Sequence, residues 1–319
     1  MMKNLLRFFS KYLITLIVAS LLIFFLLRVA PGDPAAIALG VTATEESLAA
    51  LREQMGLNRP LIIQYFDWIY GLLRGDFGIS LTSQTEISDL IIDRMQVSLI
   101  LVLCSLAFAL TIAIPFGLWA ARRANHSDGV VVSILSQLGI AVPSFLAAIL
   151  LVILFSIHLG WLPPGGWVVP KEDPAGFIQR LILPVVSLGI VQAAILTRYI
   201  RSAVLDVMNE DFIRTARAKG LSPARALRAH GLRNAALPVI TILGIQLTGL
   251  IIGAVIIEKV FVLPGIGTML LTAVTNRDLP TVQTIVMLLV VFAVILNALI
   301  DAIYVVIDPR IRNKEKAHA

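Results

Sequence analysis

Six stretches of this 319-residue chain are apolar for long enough to cross a bilayer, and that alone restricts what it can fold into. A hydrocarbon core of about 30 Å takes about 20 largely apolar residues to span as a helix. The stretches are Tyr12–Val29, Ser98–Ala121, Val130–Leu159, Leu181–Ile200, Val239–Phe261 and Val282–Ile307. Lipid offers backbone groups no hydrogen-bond partner, so such runs must be helical. The short alternating segments of a β-barrel are not present. Only 14% of residues are charged, against about a quarter in a soluble domain. The fold class is therefore an all-α integral membrane protein with six transmembrane helices.

The first run follows Lys3, Arg7 and Lys11, as a signal peptide would. It is long, however, and ends in Arg28-Val-Ala-Pro31 without a small-x-small cleavage site, which marks a retained anchor. Placing both termini in the cytoplasm puts 17 of the 26 basic residues inside and 13 of the 20 acidic residues outside. That asymmetry obeys the positive-inside rule. It also makes the high isoelectric point a topology signal. No basic run is interleaved with aromatics as a nucleic-acid groove requires, so no nucleic-acid partner is expected.

The expected organisation is an anchor helix over 1–30, an external helical cap over 31–96, a five-helix core over 97–308 and a cytoplasmic tail over 309–319. In the cap, Thr44 can cap a helix that carries Glu45 and Glu46 in its first turn. Leu48, Leu51 and Met55 form its apolar face, and Gly56 ends it. A second helix starts near Pro60 with a stripe of Leu61, Tyr65, Trp68, Ile69 and Leu72. That stripe suits a helix lying on the membrane surface or packing on the bundle. A third, around Glu86–Met95, leads into the second span. The outer loop Gly160-Trp-Leu-Pro-Pro-Gly-Gly-Trp167 carries tryptophans suited to the headgroup region. Pro115, Pro143 and Pro184 are expected to kink their spans. Gly249 and Gly253 form a small-xxx-small face. Cys104, the only cysteine, reads as packing material.

One polar, arginine-rich insert interrupts the apolar pattern at Asn209–Pro238, within a cytoplasmic loop taken as 205–238. Asn209 can cap a helix that has Glu210 and Asp211 in its first turn. Phe212, Ile213 and Ala216 would share one face, Lys219 would sit at the negative end, and Gly220 would supply a left-handed stop. Ser222 and Pro223 then read as the cap and first residue of a second helix presenting Leu227, with Arg225 and Arg228 around it. The expectation is two short, stiff helices around a glycine bend. Such a device can dock a soluble partner. A basic loop that only touches anionic headgroups and sets topology is the competing reading.

The insert resembles the EAA cytoplasmic loop of binding-protein-dependent ABC-importer permeases. Thr215-Ala-Arg-Ala-Lys-Gly-Leu-Ser-Pro223 followed by Arg233-Asn-Ala-Ala-Leu-Pro238 carries the likeness. It is most similar to the dipeptide/oligopeptide/nickel branch, and to its B-type subunit. Pro31-Gly-Asp-Pro34, Gly56-Leu-Asn-Arg-Pro60 with Gln64-Tyr65 and Trp68, and Gly75-Asp-Phe-Gly-Ile-Ser80 belong to the same likeness. Leu263-Pro-Gly-Ile-Gly267 and Asp308-Pro-Arg310 complete it. The resemblance implies a type I importer permease bundle that imports peptides. The runners-up within that class are nickel chelates, glutathione or haem. It further implies a homologous second permease, two cytoplasmic ATP-binding subunits and an external substrate-binding (lipo)protein as partners. The coupling residues it points to are Asn209, Asp211, Thr215, Ala216, Gly220, Leu221, Ser222, Pro223, Arg225 and Leu227. The motif's glutamate is replaced here by Arg214 or Thr215, and the run from Gly220 to Pro238 is longer than in the general motif. Shape and the Gly220 bend, rather than one acidic contact, are then what the insert offers.

Polar groups within spans are functional candidates by default. Gln137, Gln192, Gln246, Gln283 and Asn297 can face a pathway or bond between helices. Asp301 can gate, pair with an arginine or reach the interface. Glu258 with Lys259 can be a local ion pair or part of an outer gate. No catalytic constellation, cofactor site or metal-ligand cluster is legible, and no phosphate-binding loop is present, so ATP hydrolysis is expected on separate subunits. An ion-coupled secondary transporter is the reading from another class. It would need ionisable groups or broken helices at mid-membrane.

Overall fold

Thirteen helices carry the apolar pattern in a computed structural model that describes residues 2–29, 34–39, 43–54 and 56–307. The expected tail over 309–319, the Asp308-Pro-Arg310 motif, Pro31-Gly-Asp33 and Met55 lie outside the described residues. In chain order the helices are α1 Met2–Val29, α2 Pro34–Leu39, α3 Glu45–Gln54, α4 Leu61–Arg74, α5 Ile87–Arg122, α6 Ser127–Ala141 and α7 Ser144–Leu151. They continue as α8 Pro174–Met208, α9 Asp211–Ala218, α10 Pro223–Ala226, α11 Leu232–Val260, α12 Ile266–Thr275 and α13 Leu279–Ile307. Among the described residues, five helical stretches are long and apolar enough to cross a membrane. The sixth expected span, Val130–Leu159, is a pair: α6 and the segment Ser144–His158 meet at 97° across Val142 and Pro143. Proline removes a backbone donor and disfavours helix for the residue before it, so the chain turns there. The expected third cap helix is no separate element, since α5 runs unbroken from Ile87.

The chain divides into two compact units, Met1–Val97 with Pro264–Ile295, and Ser98–Leu263 with Leu296–Ala319. In the first, Thr44 caps α3 as its side chain predicts: the Ser47 amide donates to Thr44 Oγ1 at 3.2 Å. Helix α4 ends at Gly75, whose left-handed backbone lets the Asp76 amide reach back to the Gly71 carbonyl. Tyr65 and Trp68 of α4 pack on Phe24 of α1, and the Ser20 and Tyr65 hydroxyls share a 2.8 Å hydrogen bond. Ile87, Ile91, Ile266 and Ile285 form a small core at the outer ends of α5, α12 and α13.

Asp278 is the polar hub of this unit. Its buried carboxylate accepts from Ser80 Oγ at 2.5 Å, the Leu81 amide at 3.1 Å and Thr281 Oγ1 at 2.9 Å. Thr82 Oγ1 and the Thr281 amide lie farther, at 3.4 Å. A buried carboxylate is tolerated only when hydrogen-bonded in this way. The arrangement ties the loop after α4 to the start of α13.

In the second unit α8 is central, packing against α6, α7 and α11. Small residues allow the close approach. A Cβ on Gly189 would stand 2.9 Å from the Ser105 carbonyl, and one on Gly117 would stand 2.7 Å from Ile200. Of the expected glycine pair in α11, Gly253 meets Leu188, whereas Gly249 faces open space. Cys104, read as packing material, is exposed on α5. An apolar span in lipid has no need to bury every apolar side chain in protein.

Candidate functional site

The insert forms its site at the cytoplasmic ends of two long helices. Helix α8 has 35 residues and so is about 52 Å long. A second helical stretch, Pro223–Val260, has 38 residues. Both exceed the roughly 20 residues that cross the hydrocarbon core, and the excess carries the loop between them clear of the membrane.

Helix α9 ends as the residues predict. Gly220 has φ +90°, its amide donates to the Arg217 carbonyl at 2.9 Å, and the Leu221 amide reaches the Ala216 carbonyl at 3.3 Å. This is the paired-bond stop that a left-handed glycine permits. The start of α9 differs from expectation. Asn209 closes α8, with its amide donating back to the Asp206 carbonyl, and Glu210 occupies the cap position of α9 without a side-chain cap bond. Helix α8 runs eight residues past its apolar stretch and so takes up the residue that composition assigned to α9.

Ile213 and Ala216 are buried, together with Ala226, Leu227 and Ala235, against Val204 and Val207 of α8. Phe212 is not part of that face and is 39% exposed, because adjacent helical positions diverge by about 100°. Asp211, Arg214, Thr215, Arg217, Lys219, Ser222, Pro223 and Arg225 are exposed. Thr215 Oγ1 bonds to the Asp211 carbonyl at 2.9 Å, and Arg214 pairs with Asp211 at 3.4 Å. The site is thus an apolar root under a basic outer face.

The expected second stiff helix is not separate. Helix α10 is one turn and passes through a wider π-helical turn, Leu227–Gly231, directly into α11. Pro238, taken as the end of the insert, lies inside α11. Ser222 caps through its backbone carbonyl, which accepts from the Arg225 and Ala226 amides, and its side chain makes no cap bond. Pro223 and Arg225 therefore stand at the end of a long helical stretch, Pro223–Val260, that is apolar enough to cross a membrane.

This root gives a direct prediction. Ile213→Ala removes a fully buried side chain and is expected to loosen α9, since such truncations cost about 2–5 kcal/mol. Trypsin cleavage after Arg214, Arg217 and Lys219 should then accelerate several-fold, whereas Phe212→Ala should leave it unchanged. Equal cleavage rates in the two variants would disprove the anchoring role of Ile213.

Among the intramembrane candidates, Gln192 and Gln246 meet: Gln246 Nε2 donates to Gln192 Oε1 at 2.7 Å between α8 and α11. Glu258 is buried and accepts from Ser98 Oγ at 2.5 Å. Gln137 is exposed on α6. Gln283 is buried in the first unit beside a cavity of about 250 Å³ lined also by Arg28, Trp68 and Asp76. Asn297 and Asp301 lie on the inner half of α13, exposed and half-buried respectively.

Sequence reasoning missed a clasp at the outer end of α11. The Gly166 amide donates to the Phe261 carbonyl at 2.8 Å, and Arg180 Nη1 holds the Gly165 carbonyl at 2.7 Å. A Cβ on Gly165 would collide with that same Phe261 carbonyl. Val262 follows in the left-handed region at φ +54°, an uncommon conformation for a β-branched residue, between buried Phe261 and Leu263. The Gly-Gly pair was the available signal, yet it reads equally as plain loop.

Comparison with known proteins places these features in context. Residues 113–313 match the family described as the binding-protein-dependent transport system inner membrane component, and residues 1–102 match its N-terminal membrane component. A probable peptide ABC transporter permease of Sinorhizobium fredii is 39% identical over 91% of this chain and 93% of its own. The oligopeptide transport system permease of Bacillus subtilis is 38% identical over 92% and 93%. The glutathione transport system permease of Salmonella choleraesuis is 38% identical over 94% and 95%. Among solved structures, the inward-facing MetNI methionine ABC transporter matches with a TM-score of 0.56 at 18% identity, covering 69% of this chain and 96% of that one. The last likeness is one of fold.

Proposed function

We propose, because the chain belongs to the family of inner-membrane components of binding-protein-dependent transport systems, that it is the membrane-spanning subunit of an ATP-driven importer for di- and oligopeptides. It is a multi-pass protein of the inner membrane and a transport subunit, not itself an enzyme. The single observation that carries the peptide assignment is the 39% identity, over nine-tenths of the chain, to a permease named for peptide transport. A second substrate reading, glutathione, has support from one similar relative. Both are short peptides, so the chemistry they share is a backbone amide with charged termini.

As a permease of an ABC importer the chain works with ATPase and other subunits. In our reading these are two ATP-binding subunits below, a homologous second permease, and an external binding protein. The basic outer face of α9, the Gly220 bend and the Pro223–Arg225 turn meet a groove on an ATPase subunit. Continuity of that turn with α11 supports a mechanical role, since groove closure would move a membrane-crossing helix. The loop's apolar root keeps α9 from yielding instead.

Reconstitution tests this reading. The chain in proteoliposomes with its co-encoded subunits and binding protein is expected to accumulate labelled di- to pentapeptides only when ATP is present. Competition by glutathione, nickel chelates and haem on the isolated binding protein then ranks substrates. Uptake by this chain alone, driven by a proton or sodium gradient, would overturn the ABC reading in favour of a secondary transporter.

A further inference from the structure

Helix α4 has three faces, and among the described residues only one of them packs against the rest of the protein. Tyr65 and Trp68 form the used face against Phe24. About 100° away stand Ile62, Phe66, Tyr70 and Leu73, spaced by four, four and three residues and therefore on one stripe. Ile62 is 67% exposed, Phe66 62% and Leu73 82%, and no residue of the helix is buried. The third, narrow face is charged: Asp67 pairs with Arg59 at 3.1 Å, and the Arg74 guanidinium lies 4.1 Å from the Tyr70 ring centre.

The depth of α4 follows from its partner. Ser20, which bonds to the Tyr65 hydroxyl, lies eight residues inside Arg28, the outer end of the first span. At 1.5 Å per residue that is about 12 Å, most of one leaflet of a core about 30 Å thick. The lower part of α4 thus stands level with lipid chains, not with water. Leu22, Phe25 and Leu26 of α1, the helix on which α4 packs, are likewise exposed apolar side chains.

We propose that α4 is a lipid-seated helix, with Ile62, Phe66 and Leu73 held among the acyl chains of the outer leaflet and Asp67 and Arg74 at its headgroups. The occupant of the stripe is annular phospholipid. An apolar face beside a narrow charged one, with a tyrosine–arginine pair at the boundary, is the pattern of a helix lying in a membrane interface. Seated so, α4 fixes in height the loop that follows it. This inference stands independently of the transported substrate.

Single cysteines in a Cys104→Ala background test it, with the assembled complex in nanodiscs of phosphatidylethanolamine and phosphatidylglycerol. An environment-sensitive dye is placed on Ile62→Cys, Phe66→Cys or Leu73→Cys, with Asp67→Cys as the aqueous control. These side chains are more than half exposed, so labelling leaves the packed face intact. The three stripe positions are expected to emit at shorter wavelength, lose at least half their intensity with doxyl-labelled phosphatidylcholine, and resist iodide. The label at 67 should respond in the opposite way. Iodide quenching at 66 and 73 equal to that at 67 would show a watery face. Shielding from both quenchers would show a protein on the stripe. Either result overturns the proposal. Unlabelled Phe66→Asp gives an independent readout: its α4 segment should gain amide hydrogen exchange at least fivefold in nanodiscs, and no gain would count against lipid seating.

Discussion

Gly220→Pro is expected to cut ATP-driven uptake at least tenfold while the permease still assembles with its partners. At φ +90° the native backbone lies far from the −65° that proline imposes, and proline also removes the amide that bonds to Arg217. Nothing lies within 4 Å of a Cβ built at this position, so crowding plays no part. The effect is one of chain direction: α9 and the Pro223 turn would no longer stand at their native angle. Gly220→Ala isolates the conformational strain, roughly 1–2 kcal/mol for an L-residue in the left-handed region, and should give an intermediate loss. Gly220→Asn, better tolerated there, should approach the wild type. Substrate-stimulated ATP hydrolysis should persist in the proline variant and become uncoupled from uptake. Full uptake in Gly220→Pro would remove the bend from the coupling mechanism.

The second large effect is expected at Asp278. Asp278→Ala leaves the buried Ser80 hydroxyl and the Leu81 amide without their acceptor. Hydrogen bonds to a charged group are worth about 1.5–3 kcal/mol each, so a loss of about 3–5 kcal/mol is expected. The thermal midpoint of the detergent-solubilised protein should fall by about 5–10 °C. Asp278→Asn keeps one accepting oxygen and should lose about half as much. Thr82→Ala, which removes only a 3.4 Å contact, should change little. An unchanged midpoint in Asp278→Ala would mean that water or a neighbouring acceptor replaces the carboxylate.

Residues whose roles are set by near neighbours were legible. The spans follow from runs of apolar residues, and orientation follows from charge between them. Thr44 and Gly56 bound α3 from positions close in sequence, and Gly220 stops α9 through bonds to Ala216 and Arg217. Asn209 failed for an informative reason. Its capping chemistry is real, but α8 continues past its apolar stretch and consumes the residue as its own end. Phe212 failed by one step of helical angle, since hydrophobicity does not say which of two adjacent apolar residues faces the protein. The role of Asp278 was not legible, because its closest partner, Ser80, lies 198 residues away.

What the sequence by itself determined is the all-helical, membrane-spanning architecture and the glycine bend of the polar insert. Hydropathy, charge bias and capping all act within a few turns of helix, so they can be read without knowing what lies opposite. Pro143 marked the break of the third span, whereas tertiary structure decided its 97° angle and the merger of the insert's second half with α11. It alone brought Ser98 to Glu258 and Gln192 to Gln246, and left α4 with a second apolar face. The two hydrogen bonds depend on which surfaces meet across 54 and 160 residues of chain. In a membrane an apolar side chain is equally at home against lipid or protein, so hydrophobicity cannot say which of the two it will face.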